Sequence, residues 1–358
     1  MLEKSRLFVL LIAIAFVAVG MFADEQASAQ QAPKVSPSAT PPIEEEEEIV
    51  KIETESVNVL FTAQDRNRKL LLNLKPEDIR ILENGQAQTI VAFSRQIDLP
   101  LSLAILIDTS ASQERTLPEE KSAAISFLES VIRPTKDEVS VVSFTGESTL
   151  EQGMTNNLNR LRRAIERVEF VPPSGYLGGG VVVNSGRVPG TPPISGTNQQ
   201  VAGSTAIWDS IWVTSADVLG PAPEKTRRAI ILLSDGYDTF SKKKLDDAVQ
   251  AAQRAEAVIY SIGIGDNFYD GVDEGALKKI SERTGGRAYF PRDENELRQA
   301  FRQIQDEMRS QYLIAYEPSN RALDGTYRKI EIQLANQALE KEKVRLTHRQ
   351  GYFAKTKK

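Results

Sequence analysis

The chain has 358 residues, 41% hydrophobic and 26% charged, enough apolar content for about two domains with buried cores. It has no cysteine and one histidine, His348, which excludes disulfides, thiol nucleophiles and zinc fingers or ribbons and leaves a Ser-His-Asp triad only that one residue. Lys plus Arg is 44 and Asp plus Glu 49; five of the acids form the run Glu44 to Glu48, so the remainder is balanced and has no basic field for nucleic acid or an anionic membrane surface.

At the N-terminus, Lys4 and Arg6 precede the nearly unbroken apolar run Leu7 to Ala23, and Ala27-Ser28-Ala29 supplies small residues where signal peptidase requires them. Residues 1–29 read as a cleaved secretion signal. The competing reading is an uncleaved anchor, which would be the protein's one route to a membrane. Either way the chain is expected to be exported, periplasmic or secreted. Residues 30–48, QQAPKVSPSATPPIEEEEE, read as a Pro, Ser and Glu-rich tether, and the glutamate run as a solvated block.

From residue 49 to 98 short alternating runs appear, with Asn84-Gly85 as a strong hairpin signal. This segment is too strand-poor to close a sandwich alone, so it is expected to recruit strands from elsewhere.

From Leu99 the rhythm is strand, loop, helix. LSLAILID, AIILLS (229–234) and VIYSIGIG (258–265) are continuous apolar runs, as expected of strands covered on both faces in a parallel sheet, and Val139 to Phe144 reads as another strand. Helical spacing is expected over Leu117 to Ile132, Leu158 to Val168, Thr205 to Leu219, Leu245 to Ala257, Glu274 to Thr284 and Glu294 to Arg309, with a short strand at Arg287 to Phe290. The alternation predicts an α/β fold, a doubly wound and mostly parallel sheet over residues 99–310. Pro172 to Gly203, crowded with Gly, Pro, Ser and Asn, interrupts it as a long loop overhanging the site described next. After Ser310, QYLIAYEP, YRKIEIQLA and KVRLTHRQGYF alternate again, and residues 311–354 are expected to pair with 49–98 around the inserted domain.

Ligands in open α/β sheets sit beyond the carboxyl ends of strands. Asp108-Thr109-Ser110-Ala111-Ser112 ends the first buried strand, Gly203-Ser204-Thr205 opens a helix, and Ser234-Asp235-Gly236 ends another buried strand. Asp108, Ser110 and Ser112 at alternate positions, with Thr205 and Asp235, offer two carboxylates and three hydroxyls, an all-oxygen set suited to Mg²⁺ or Mn²⁺ rather than zinc or copper. Each residue alone reads as turn or cap chemistry. All five in order, at strand and helix ends, point to a metal.

This pattern resembles the von Willebrand factor type A domain, whose metal ion-dependent adhesion site (MIDAS) combines Asp-x-Ser-x-Ser with a later threonine and aspartate. The resemblance spans about Leu99 to Met308 and implies that Asp108, Ser110, Ser112, Thr205 and Asp235 hold the metal, the serines and threonine directly and the aspartates often through water. SRQIDLPLSLAILIDTSAS and the closing RQGYFA are similar to a bacterial von Willebrand A-related family found mainly in Acidobacteria. The implied function is a non-enzymatic adhesion-type module whose metal takes an Asp or Glu carboxylate from a protein partner. The alternatives are a Mg²⁺-dependent hydrolase or phosphotransferase built on Asp108, and an envelope assembly scaffold with a vestigial metal site.

Other candidates read as structure. GIGDNF lacks the third glycine of a dinucleotide fingerprint, Trp208 and Trp212 share a helix face suited to core packing, and His348 is expected at the surface of a strand. Gly178 to Gly180 reads as flexible loop.

Overall fold

The structure, a computed structural model, describes residues 56–95, 99–172, 204–223, 225–265 and 271–357. The expected secretion signal, the tether, the loop from 173 to 202 with Gly178 to Gly180, and Gly203 lie outside these residues. No helix among the described residues is long and apolar enough to cross a membrane.

The chain begins with β1 (Val57–Gln64), β2 (Ile79–Glu83), β3 (Gln86–Ala87) and β4 (Thr89–Arg95). Asn84 and Gly85 both have positive φ, 49° and 82°, which gives the two-residue turn joining β2 to β3 the twist that matches antiparallel strands. The α/β run follows: β5 (Leu101–Asp108), α1 (Leu117–Val131), β6 (Glu138–Phe144), β7 (Ser148–Thr155), α2 (Leu158–Arg167), α3 (Ile207–Val213), β8 (Arg227–Ser234), α4 (Leu245–Arg254), β9 (Ala257–Gly263), α5 (Glu274–Thr284), β10 (Ala288–Tyr289) and α6 (Glu294–Arg309). The chain closes with β11 (Tyr312–Glu317), β12 (Tyr327–Leu334), α7 (Gln337–Lys341), β13 (Arg345–His348) and β14 (Gly351–Phe353).

Six strands form the central sheet in the order β10-β9-β8-β5-β6-β7. All pairings are parallel except that of β7 with β6. Side chains of β5 alternate between two apolar cores. Leu101, Leu103, Ile105 and Ile107 pack with residues of α1, α2 and α6, while Ala104 and Leu106 pack with residues of α3, α4 and α5. Burial on both faces explains why the strand reads as an unbroken apolar run. The strand order reverses between β5 and β8, and the carboxyl ends of strands at such a switch point are the usual place for a ligand in this architecture.

The flanking strands make two four-stranded sheets, β13-β1-β11-β4 and β14-β12-β2-β3, each mixing strands from before and after the inserted domain. Val59, Phe61, Ile81, Tyr312, Ile314, Tyr316, Ile330 and Ile332 are buried in their shared core. Within it Arg328 pairs with Glu83 at 3.5 Å, and Tyr316 and Tyr352 donate to the same Glu83 oxygen at 2.7 and 2.9 Å. A buried carboxylate is tolerable when a cation and hydrogen-bond donors meet it in this way. The fold is thus an α/β, doubly wound domain inserted in a β-rich unit built from both flanks.

Three expectations change. Ser148 to Thr155 forms an antiparallel edge strand that its weak alternation did not announce. KVRLTHRQGYF is two strands belonging to different sheets. His348, expected at the surface, is half-buried: its Nε2 accepts from the Ile332 N–H at 3.2 Å and its Nδ1 bonds to the Arg349 carbonyl at 2.7 Å. Burial holds its pKa below the ordinary histidine value, so it serves as a neutral connector within the sandwich.

Candidate metal centre

Asp108 is the last residue of β5 and is wholly buried. Its Oδ1 accepts the Ser110 N–H at 2.9 Å, which bends the chain out of the strand and brings the Ser110 and Ser112 hydroxyls within 3.2 Å of each other. Thr109, between Asp108 and Ser110, turns away to donate through both its N–H and its hydroxyl to the Phe144 carbonyl of β6. Gln113, also fully buried, donates its amide to the Ile264 carbonyl at 3.1 Å and anchors the far end of the turn.

The opposite wall comes from β8. Ser234 donates its hydroxyl to Asp108 Oδ2 at 2.6 Å and accepts from the Gly236 N–H at 3.1 Å. Asp235 accepts the Tyr237 N–H on Oδ1 and, through its carbonyl, the Asp273 N–H at 2.7 Å. Gly236 has φ +87°, and a Cβ there would lie 2.9 Å from the Asp273 carbonyl oxygen, so the turn that presents Asp235 requires glycine.

Thr205 follows the segment 173–203 in the chain and is held by its backbone. Its N–H donates to the Thr239 hydroxyl at 2.9 Å, and its carbonyl accepts from the Thr239 and Phe240 N–H groups. Asp238 and Ser241 cap the start of α3 from the same segment, Asp238 through the Ile207 N–H at 2.8 Å and Ser241 through the Trp208 and Asp209 N–H groups. Asp108, Ser110 and Ser112 therefore form one hydrogen-bonded turn. Ser234 joins it to the strand end carrying Asp235, and the segment from Tyr237 to Ser241 fixes Thr205.

Ser234, Asp238, Thr239, Ser241 and Gln113 all position the five expected residues without being among them. Trp208 is buried as expected, but Trp212 is 37% exposed, with the Lys243 ammonium 4.6 Å from its ring centre.

The electrostatics suit a cation. Burial first, and the Asp235 charge second, push the Asp108 carboxyl up to about 7, against hydrogen bonds from Ser110 and Ser234 that favour its ionised form. Glu120, on α1, is wholly buried, with no hydrogen bond to either carboxylate oxygen. Burial pushes it up to about 8; the nearby Thr116 hydroxyl, which also donates at 2.8 Å to Gln113, opposes this, and the Asp108 and Asp235 charges add to it. A divalent cation would relieve this concentration of acid. No group of three or more His, Cys, Asp or Glu residues spaced for a metal occurs among the described residues, so the donor set here rests on hydroxyls as much as carboxylates. Oxygen donors of both kinds fit a hard cation.

Fold and site together define a doubly wound α/β domain with a cluster of oxygen side chains at its switch point. Family models described as von Willebrand factor type A domain match residues 103–184 and 196–303. The chain carries a von Willebrand factor type A domain. No curated protein matches it.

Among solved structures it is similar to proximal thread matrix protein 1 from the mussel byssus, at 16% identity and a TM-score of 0.46, over 63% of this chain and 51% of that one. Another structure of that protein, described as having a zinc-occupied MIDAS motif, matches at 16% identity and a TM-score of 0.46, over 62% of this chain and 48% of that one. An aerotolerance-related membrane protein from Bacteroides fragilis matches at 15% identity and a TM-score of 0.40, over 59% of this chain and all of that one. The chain spans about half the length of the mussel proteins it matches.

Proposed function

We propose that this is an exported, non-enzymatic binding module whose metal centre engages a carboxylate on a protein partner. The observation that carries the reading is the turn at Asp108, where one carboxylate and two hydroxyls are held ready by bonds from Ser110 and Ser234. Asp108, Ser110, Ser112, Thr205 and Asp235 would hold Mg²⁺ or Mn²⁺. The bound ion would supply a Lewis-acidic position for an Asp or Glu side chain from outside. Ser234 and Gly236 fix the carboxylate wall, while Thr239 and the cap on α3 fix the threonine.

A binding role agrees with the lack of an imidazole near the site, since His348 lies in the sandwich. The apolar run and Ala-x-Ala sequence at residues 7–29 support export to the periplasm or beyond. The test is affinity capture from the native envelope on immobilised protein in Mg²⁺ buffer, followed by elution with chelator. A partner released by EDTA and not retained by Asp108→Ala supports the reading. A partner that binds wild type and variant alike, with or without EDTA, overturns it.

A further inference from the structure

At the opposite end of the central strands from Asp108, where β8 begins, a cavity of about 240 Å³ lies between the α/β domain and the flanking sandwich. Its charged lining consists of Arg227, Arg349, Lys225 and a single acid, Glu256.

Arg227 is 8% exposed. Its guanidinium donates to the Met308 carbonyl and, at 3.4 Å, to the Leu99 carbonyl; no carboxylate pairs with it and its Nε–H has no partner among the described residues. Burial first, and the nearby Arg133 charge second, hold its pKa below the ordinary arginine value, against the more distant pull of the Asp137 carboxylate, which Arg133 already occupies. Arg349 is also 8% exposed. It spends its two terminal nitrogens on Glu256 at 3.0 Å and the Asn58 carbonyl at 2.7 Å, and its Nε–H likewise lacks a partner.

Glu256 is itself shared, lying 3.9 Å from Arg228 as well. Lys225 is exposed at the mouth and makes no ion pair among the described residues. A wider cleft of about 680 Å³, which shares Asn58, Lys225, Gln253 and Glu256 with the cavity, adds Arg228, Arg254 and Lys355 to its walls. Arg227 is a buried guanidinium with no carboxylate paired to it, and the one acid of the cavity, Glu256, is divided between Arg349 and Arg228, so positive charge exceeds negative there and an anion from outside would offset it. Arginine is the side chain best shaped to take the planar fork of a carboxylate or the edge of a phosphate.

We propose that this cavity is a binding site for a small carboxylate- or phosphate-bearing anion, held by Arg227 and Arg349 with Lys225 at the entrance. The site is independent of the metal centre.

Thermal melts and titration calorimetry of the full chain test it, with inorganic phosphate and citrate as separate probes, chloride at matched ionic strength as control, and EDTA throughout to remove any metal contribution. At least one probe should raise the melting temperature saturably where chloride does not, and which one does so identifies the headgroup class. Arg227→Gln and Lys225→Ala should each weaken the apparent affinity about tenfold or more, while Asp108→Ala keeps the wild-type response. If Arg227→Gln fails to fold, Lys225→Ala, at an exposed position, carries the test alone. No saturable shift with either probe, or an undiminished response in the variants that fold, would overturn the assignment.

Discussion

Ser234 and Asp108, 126 residues apart in sequence, are joined by a 2.6 Å hydrogen bond across the two parallel strands between which the sheet reverses its order. That bond ties one wall of the proposed metal centre to the other. Ser234→Ala should cost about 1.5–3 kcal/mol, the range for a buried hydrogen bond to a charged group, and should weaken Mg²⁺ binding about 10–100-fold, as loss of outer-shell partners does. Chemical denaturation and calorimetric titration read the two effects; an unchanged metal affinity would show that Asp108 needs no such support.

Mg²⁺ or Mn²⁺ should stabilise the protein by about 2.7 kcal/mol when present at 100 times its dissociation constant. The gain should shrink as pH falls below about 7, because the ion must then displace the proton that burial and Asp235 keep on Asp108. Melts with and without ion at pH 5.5 and 8 test this, with Asp108→Ala expected to abolish the shift. Equal shifts at both pH values would contradict it.

Glu120 gives a separate pH signature. Its folded pKa, about 8, lies above the ordinary 4.5, so the folded protein holds its proton more tightly than the unfolded chain. Stability from this group is full below about pH 4.5 and is lost as pH rises toward 8. Glu120→Gln should match wild type near pH 4 and exceed it at pH 8 by on the order of 4 kcal/mol in metal-free buffer. Denaturant midpoints across that range decide the point; parallel curves for variant and wild type would sink it.

Removal of residues 311–358 should unfold or aggregate the flanking unit. It takes β11 from between β1 and β4 and β12 from beside β2, exposing Val59, Phe61 and Ile81. Light scattering and circular dichroism on the truncated chain would show this, and a soluble, cooperatively melting product would refute it.

Much of this architecture could be read from residue pattern. LSLAILID and AIILLS are unbroken because both faces of β5 and β8 are covered, and the five oxygen residues stand at strand ends and a helix start, where polar side chains in such sheets gather. What escaped reading depends on distant partners. Ser234 looks like an ordinary residue before a turn until Asp108 is set beside it. Asp238 and Ser241 cap α3 from about 30 positions further along the chain, which no local capping pattern reveals. β7 is an edge strand with exposed and half-exposed positions, so it lacked the apolar alternation that marks its neighbours. Trp212 follows Trp208 by four residues, yet it sits at the rim of the helix under Lys243.

The placement of β11 bears on how the protein would carry a pulling force. It follows α6 directly, and it pairs antiparallel with β1 from Val57 opposite Tyr316 to Phe61 opposite Tyr312. A load entering from the N-terminal side reaches β1 at Val57, whereas a load entering through the inserted domain reaches β11 at Tyr312, the other end of that ladder. The two strands would be drawn past each other lengthwise, so their hydrogen bonds share the load together instead of parting one by one. Single-molecule stretching between residue 57 and the proposed metal centre should therefore require more force than stretching across Arg95 and Tyr312, neighbours at one end of the β4–β11 ladder, where bonds open in succession. Equal forces in the two geometries would rule this out.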